Sequence, residues 1–181
     1  QLLSIAISLA LVLLITSLIF RSGLLGLICT MPIVVTITMS FGLMGWLDVP
    51  LDLATVLIAS IAVGIGIDYS IHYVHHYRAV RKNGMTPEEA VLQTNSTAGR
   101  AIIYNALAVG AGFLVLIFSN LASIGVLGAM IALTMFLSSL GALILIPAIL
   151  SSFERLAFFK KRLLGHANDV PADNTRVLKG E

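Results

Sequence analysis

Five long apolar runs take up most of this chain and constrain its fold more than any other feature. They cover about residues 1–20, 24–47, 51–77, 100–119 and 121–150 of the 181. A helix of about 20 apolar residues crosses the hydrocarbon core of a bilayer, which is about 30 Å thick. Lipid offers the backbone no hydrogen-bond partners, so a spanning segment has to be a helix or part of a closed barrel. The runs therefore predict an all-α integral membrane protein with a five-helix transmembrane domain over residues 1–150.

The overall composition supports the same class. Hydrophobic residues make up 58% of the chain and charged residues 11%, and the mean hydropathy is +1.00. These values lie outside the range of soluble domains. The single cysteine, Cys29, falls within an apolar run and cannot form an internal disulfide, so we interpret it as small core filler.

The basic residues predict how the chain is oriented. With five spans, all 11 Lys and Arg residues fall on one side of the membrane. Cytoplasmic loops carry the excess of Lys and Arg, so we expect the N-terminus of the chain outside and its C-terminus in the cytoplasm. We expect a multi-pass protein of the cell membrane, in bacteria the inner membrane. The chain starts at Gln1 rather than at a methionine, and we interpret it as the C-terminal piece of a larger protein.

Two segments lie outside the spans. We expect residues 78–99 to form a cytoplasmic connector. Within it, Thr86-Pro87-Glu88-Glu89 predicts a capping box at the start of a short helix. Residues 151–181 form a cytoplasmic segment whose first part alternates apolar and basic residues. This pattern fits an interfacial helix on anionic lipid or a simple basic stop after the last span. From Gly165 onward we expect disorder. Within the spans, Pro32 and Pro147 are expected to kink or end their helices.

One carboxylate lies deep inside the third apolar run. On a helix that rises about 1.5 Å per residue, Asp68 is roughly 24 Å from Asp52 and roughly 15 Å from Arg78. A charged Asp at a helix centre costs about 2.5–3.5 kcal/mol on insertion scales, and such residues usually mark an ion or proton pathway. We therefore predict that Asp68 is the functional residue. The alternative is a neutral or hydrogen-bonded carboxyl group that only holds helices together.

Neighbouring turns of the same helix carry further polar groups. Residues three to four apart share a helix face, which places Gly64, His72 and His75 on the stripe of Asp68. An imidazole changes charge near neutral pH, so His72 could relay a proton to the cytoplasm. The alternative is that His72 only packs or reaches the interface. We interpret His75 and His76 as a wet helix end, and their spread around the helix does not favour a metal site.

Small residues beside the carboxylate predict a close helix contact. Gly64 and Gly66 lack side chains just before Asp68, which lets a partner helix approach. Asn105 of the fourth span could hydrogen-bond across such a contact. Small residues are also ordinary in transmembrane packing, so only their combination with Asp68 is informative. The matching small face of the fourth span consists of Ala101, Asn105, Ala108 and Gly112.

The run Gly64-Ile-Gly-Ile-Asp68-Tyr69-Ser70-Ile71-His72 resembles the Asp-Tyr helix of the RND (resistance-nodulation-division) superfamily of transporters. It is most similar to the MMPL and hopanoid-exporter-like branches. The segment from Asn105 to Phe113 is similar to the next helix of that family, and the resemblance covers residues 1–150. It implies one of the two five-helix blocks of a twelve-helix bundle, and the basic tail favours the C-terminal one.

The resemblance also implies a function. The implied protein is a proton-motive-force-driven exporter of lipids or other hydrophobic molecules, in which Asp68 is the proton carrier and Tyr69 is its partner. Tyr69 points about 100° away from Asp68, so we expect it to meet a carboxylate of the other repeat. The expected partners are the N-terminal repeat, the extracytoplasmic porter domains, the lipid bilayer, a hydrophobic substrate and protons. No cofactor, metal or nucleic acid is expected.

Two other functions are considered. A sterol-sensing-like regulator would have similar helices and bind lipid without moving protons. An intramembrane enzyme would need a second catalytic carboxylate, a nucleophile elbow or a zinc motif, and the sequence has none of these. We therefore do not expect an enzyme.

Overall fold

The computed structural model describes residues 2–49 and 53–168, and its first two helices form a tight hairpin. Helix α1 spans Leu2–Phe20 and helix α2 spans Gly23–Trp46. Arg21 adopts a φ of 50°, a left-handed conformation that is uncommon for a residue with a side chain. Such a short connection makes α1 and α2 antiparallel neighbours. Gly26 lies directly against the backbone of Ser17 on α1, so the missing side chain allows this close approach.

The middle of the chain contains one long helix followed by a helical connector. The capping box is confirmed, because the Glu89 N–H donates to Thr86 Oγ1 (3.3 Å) and the Thr86 N–H donates to Glu89 Oε2 (2.9 Å). The connector then continues into the next apolar helix without leaving helical geometry. The elements are α3 (Leu53–Lys82), α4 (Pro87–Thr94), a π-helical turn (Asn95–Gly99), α5 (Arg100–Leu114) and a 3₁₀ turn (Val115–Phe118).

The last helix, α6, spans Ala122–Asn168 and is longer than a membrane crossing needs. Its 47 residues extend over about 70 Å, against a hydrocarbon core of about 30 Å. The helix continues without a break through the segment that follows residue 150. The expected disorder from Gly165 is therefore wrong for residues 165–168. Residues 169–181 lie outside the described residues, as do Asp52 and the side chains from residue 154 onward.

The two prolines do not end their helices. Pro32 lies inside α2 and Pro147 inside α6, and both helices continue past them. Pro32 is buried against Gly141, where an added Cβ atom would be 3.3 Å from the proline ring. Of the two expected effects, an end of the helix is therefore wrong for both prolines, and a kink stays a prediction. Neighbouring helices can accommodate a proline in a transmembrane helix, and here a facing glycine provides the space.

Helices α2 and α6 form the centre of the bundle, and α1 and α5 lie at its periphery. Half of an apolar 18-residue segment of α2 is buried (50%), as is 44% of a segment of the same length in α6. The corresponding values are 11% for an 18-residue segment of α1 and 17% for one within Pro87–Phe118, which contains α5. Helix α6 packs against α2, α3 and α5. The Ser40 and Thr134 hydroxyls, 3.1 Å apart, join α2 to α6 inside the core.

The all-α membrane fold is confirmed for the residues that the structure describes. They contain no strand, and four helical stretches are long and apolar enough to cross a membrane. Helix α3 is not among the four, so its crossing stays a prediction. The four stretches are Leu3–Phe20, Gly23–Trp46, Pro87–Phe118 and Ala122–Phe153.

Candidate functional site on helix α3

Helix α3 exposes one continuous polar stripe on the outside of the bundle. Gly64, Asp68, His72 and His75 are all exposed and lie three to four residues apart, as the helical repeat predicts. Asp68 lies near the middle of α3, roughly 22 Å along the axis from Leu53. The stripe therefore places a carboxyl group on an uncovered face, far from both ends of the helix.

Asp68 makes no hydrogen bond or ion pair with any other described residue. Neither does His72, one turn further along the same face. A charge in this position has a high cost in hydrocarbon unless protein, water or a counter-charge covers it. The five-helix bundle supplies no such cover from its described residues. Asp68 thus lies on a face of α3 that the described helices leave open.

The two glycines beside Asp68 lie on different faces of α3. An added Cβ atom at Gly64 would meet no atom within 4 Å, whereas one at Gly66 would be 2.7 Å from Ser138 Oγ on α6. The Ser138 hydroxyl also donates to the Gly66 carbonyl oxygen, at 3.4 Å. Gly66 therefore allows α6 to approach α3, and Gly64 forms part of the exposed stripe.

The expected contact of these glycines with the small face of the fourth span is wrong. Helix α6 packs against both α3 and α5, whereas α3 and α5 are not among the closely packed helix pairs. Asn105 is exposed on α5, and it makes no hydrogen bond to another described residue. The other members of that face are exposed as well: Ala101, Ala108 and Gly112.

Tyr69 lies inside the bundle and not on the stripe. Its side chain is 1% exposed, and its buried hydroxyl has no hydrogen-bond partner among the described residues. The neighbouring Ser70 is 0% exposed, and its hydroxyl is likewise without a partner. The expectation that Tyr69 meets a carboxylate of another repeat is therefore wrong for this arrangement, because the chain's own helices enclose the hydroxyl. On the side of Ser70, the Cys29 thiol of α2 is 3.9 Å from the Ser70 carbonyl oxygen.

The cytoplasmic half of α3, in the predicted orientation, is tied to the connector by polar contacts that the sequence analysis missed. The Tyr73 hydroxyl donates to Asn95 Oδ1 at 2.8 Å. His76 Nδ1 is 3.4 Å from Thr94 Oγ1, and His76 Nε2 is 3.1 Å from Thr97 Oγ1. His76 is therefore a bound, half-buried imidazole, and its interpretation as a wet helix end is wrong. The polar run from Thr94 to Thr97, just before an apolar span, was the signal in the sequence.

Arg78 ties the same end of α3 to the first helix. Its Nη1 atom donates to the Phe20 carbonyl oxygen at 3.3 Å, and its guanidinium carbon lies 5.7 Å from the centre of the Phe20 ring. The last carbonyl groups of a helix have no hydrogen-bond partner within the helix. The Arg78 guanidinium supplies a donor for one of them, the Phe20 carbonyl group at the end of α1. In the described ranges, no three His, Cys, Asp or Glu side chains come together to hold a metal ion.

A comparison with protein-family models matches residues 1–168 to the MMPL family. The chain belongs to the MMPL family. Among curated relatives, a protein of Methanocaldococcus jannaschii that is named as a membrane protein, with no stated activity, is 34% identical over 136 residues. That match covers 75% of this chain and 35% of the relative.

Two mycobacterial proteins that are named as probable transport proteins are also similar to the chain. MmpL12 of Mycobacterium tuberculosis is 30% identical over 109 residues, which is 60% of this chain and 10% of that protein. MmpL11 of Mycobacterium leprae is 26% identical over 112 residues, which is 62% of this chain and 11% of that protein. The chain thus spans about a third of the archaeal relative and about a tenth of the mycobacterial ones.

Proposed function

We propose that this MMPL-family chain is the proton-carrying half of the membrane domain of an exporter for lipids or other hydrophobic molecules. The single observation that carries the proposal is Asp68, an exposed carboxyl group near the middle of α3 without a partner among the described residues. Ionisable residues within membrane segments are rare and mark substrate, ion or proton pathways. The transport activity in the names of the mycobacterial relatives supports the same class of function.

The exposed stripe suggests how the complete protein would use this site. A second helical repeat that covers α3 would enclose Asp68 in a narrow polar space between the two halves. Transporters built from repeats commonly bind their coupling ions at the repeat interface near the bilayer midplane. In this proposal the carboxyl group takes up a proton from one side and releases it to the other, and the two halves change their packing with each step.

The other predicted site residues have different parts in this proposal. His72 lies one turn from Asp68 on the same exposed stripe, and it would pass the proton towards the cytoplasm. Gly64 leaves room on the stripe for the covering repeat, and the exposed Asn105 on α5 presents an amide to the same kind of partner. Tyr69 would act from inside the bundle, by holding α3 against its neighbours rather than by bonding to the other repeat.

The test compares Asp68→Asn with Asp48→Asn in the full-length protein. Asn has the size and hydrogen-bonding groups of Asp but cannot carry a proton. Asp48 is exposed at the end of α2 with a φ of 51°, a conformation that Asn tolerates well, so Asp48→Asn is a matched control. Each protein is reconstituted in liposomes that contain a pH-sensitive dye and a fluorescent phospholipid, and a pH gradient is imposed.

We expect the wild type and Asp48→Asn to couple proton flux to phospholipid movement, and Asp68→Asn to lose both while it expresses and melts normally. In the same assay, His72→Ala should shift the pH dependence if the imidazole relays the proton. Gradient-driven phospholipid movement in Asp68→Asn would refute the proton-carrier role. Phospholipid binding without any gradient-driven flux in the wild type would favour the lipid-binding regulator instead.

A further inference from the structure

A five-residue π-helical turn, Asn95–Gly99, interrupts the helical path between α4 and α5. A π turn carries one residue more than an α turn, and such turns occur frequently at functional sites. Helices change direction at π turns more readily than elsewhere. On the path from Pro87 to Leu114, this turn is the one place where the backbone leaves the α-helical pattern. It is therefore the part of this path where the helix axis can change direction most readily.

Side chains within the turn bond to the carbonyl groups of the preceding helix. The Thr97 hydroxyl donates to the Gln93 carbonyl oxygen at 2.7 Å, and the Ser96 hydroxyl donates to the same oxygen at 2.9 Å. Gly99 is buried, and an added Cβ atom there would be 3.2 Å from Leu143 of α6. The turn thus lies close to α6, and its own hydroxyls supply hydrogen bonds to the backbone where the α-helical ladder is broken.

Two residues of α3 hold the turn from the other side. The Tyr73 hydroxyl donates to Asn95 at 2.8 Å, and His76 lies within 3.4 Å of the Thr94 hydroxyl and 3.1 Å of the Thr97 hydroxyl. Tyr73 and Thr94 are both 0% exposed, so the Tyr73–Asn95 and His76–Thr94 contacts are partly buried, whereas the His76–Thr97 contact is exposed. Partial burial strengthens a hydrogen bond, so the first two contacts hold α3 to the connector more firmly than the third.

These two residues lie on the same rigid helix as Asp68. Tyr73 is five residues and His76 eight residues from Asp68, which is roughly 7.5 Å and 12 Å along the axis. A shift or rotation of α3 at Asp68 would therefore move both side chains, and they would move the turn.

We propose that the π turn is a hinge by which α3 repositions α4 and α5, with Tyr73 and His76 as the positioning residues that transmit the movement. This inference rests on the proposed function of Asp68 as the proton carrier. When Asp68 changes protonation state, α3 changes its packing against the covering surface. The hinge then carries that change to the peripheral helix α5, whose exposed face would meet lipid or substrate.

Deletion of Ser96 in the full-length protein is the direct test. It removes the extra residue of the π turn and restores an α-helical register, with the faces of α4 and α5 unchanged. Ser96→Ala is the matched control, since it loses the same hydroxyl but keeps the length. Spin labels on the exposed residues Ala79 of α3 and Ala108 of α5 report the distance between the helices. Phospholipid movement in the liposome assay reports function.

We expect two α3–α5 distance populations in the wild type and in Ser96→Ala, and a single population in Asp68→Asn. The deletion should also give a single population and lower transport at least tenfold. A deletion variant with wild-type distances and wild-type transport would overturn the hinge. If Asp68→Asn transports normally, the proposed function fails instead, so the two failures are distinguishable.

A double-mutant cycle decides the matter if the deletion variant does not fold. Tyr73→Phe and Asn95→Leu should each reduce transport severalfold, and the double variant should be no worse than either single one. Asn95→Asp keeps an oxygen acceptor for the Tyr73 hydroxyl. In contrast to Asn95→Leu, it should transport like the wild type and show both distance populations. Additive losses, or no loss in either single variant, would refute the role of this pair in the hinge.

Discussion

Tyr69 and Tyr73 allow the same chemical change at two buried positions of α3, with opposite expected effects. Tyr69 is 1% exposed, and its hydroxyl has no partner in the part of the chain that the structure describes, whereas Tyr73 is 0% exposed and donates to Asn95 at 2.8 Å. Replacing either by Phe removes one hydroxyl and leaves the ring to fill the same space. The two substitutions therefore isolate the contribution of a hydrogen bond from that of packing.

The expected magnitudes follow from those two environments. Tyr73→Phe loses a hydrogen bond worth about 0.5–1.5 kcal/mol, and the exposed Asn95 amide finds other partners, so no further penalty follows. A buried hydroxyl without a partner costs about 1–3 kcal/mol, and Tyr69→Phe removes that cost. The free energies of unfolding of the two variants should thus differ by about 1.5 kcal/mol or more, which is about tenfold in the unfolding equilibrium.

The assay is unfolding of the purified protein by dodecyl sulfate in mixed micelles, followed by circular dichroism. Tyr104→Phe on α5 serves as the control, because Tyr104 is 68% exposed and should change little. We expect Tyr69→Phe to be at least as stable as the wild type and Tyr73→Phe to be less stable. Equal destabilisation by both substitutions would show that the Tyr69 hydroxyl has a partner, and it would refute the reasoning from burial.

Two further predictions concern the packing of α6 and the start of α4. Gly128→Ala should destabilise the protein by about 1–3 kcal/mol, because the new Cβ atom would clash with the Phe113 carbonyl oxygen and lie 2.6 Å from Leu116 Cβ. Gly112→Ala is the control, because an added Cβ atom there meets no atom within 4 Å, and it should be neutral or stabilising in the same assay. Equal changes in the free energy of unfolding for Gly128→Ala and Gly112→Ala would contradict the close approach of Gly128 to Phe113. Hydrogen bonds from Thr86 lower the pKa of Glu89 below its ordinary 4.5, so the cap is complete above that value and is lost as the pH falls through the lowered pKa. Thr86→Val keeps the backbone N–H and loses the hydroxyl, so the nuclear magnetic resonance titration midpoint of Glu89 should rise only part of the way to the ordinary value, and an identical midpoint would exclude the Thr86 hydroxyl as a cause.

Several features of the fold follow from local patterns and could be predicted. The apolar runs predict helices because a backbone in lipid has to satisfy its own hydrogen bonds. The capping box at Thr86 and Glu89 depends on residues three apart, so the sequence contains all of it. The stripe of Gly64, Asp68 and His72 follows from the helical repeat alone.

Other features depended on which helices become neighbours. Glycine permits close approach by any helix, so the sequence could not tell that Gly66 faces α6 and that Gly64 faces outward. The π turn is one added residue in a helical path, and no propensity or periodicity marks its position. His76 has its partners in a segment about twenty residues away, beyond the reach of any local pattern.

The sequence by itself determined that this is a helical membrane protein of the MMPL family and that its one carboxyl group deep in α3 lies on a stripe with His72. Only the tertiary structure decided that the stripe stays uncovered by the described helices, that Tyr69 is enclosed, and that His76 holds the π turn. The reason is physical. Helix formation and the face on which a residue lies depend on near neighbours in the chain, whereas burial and hydrogen bonding between helices depend on how whole helices pack.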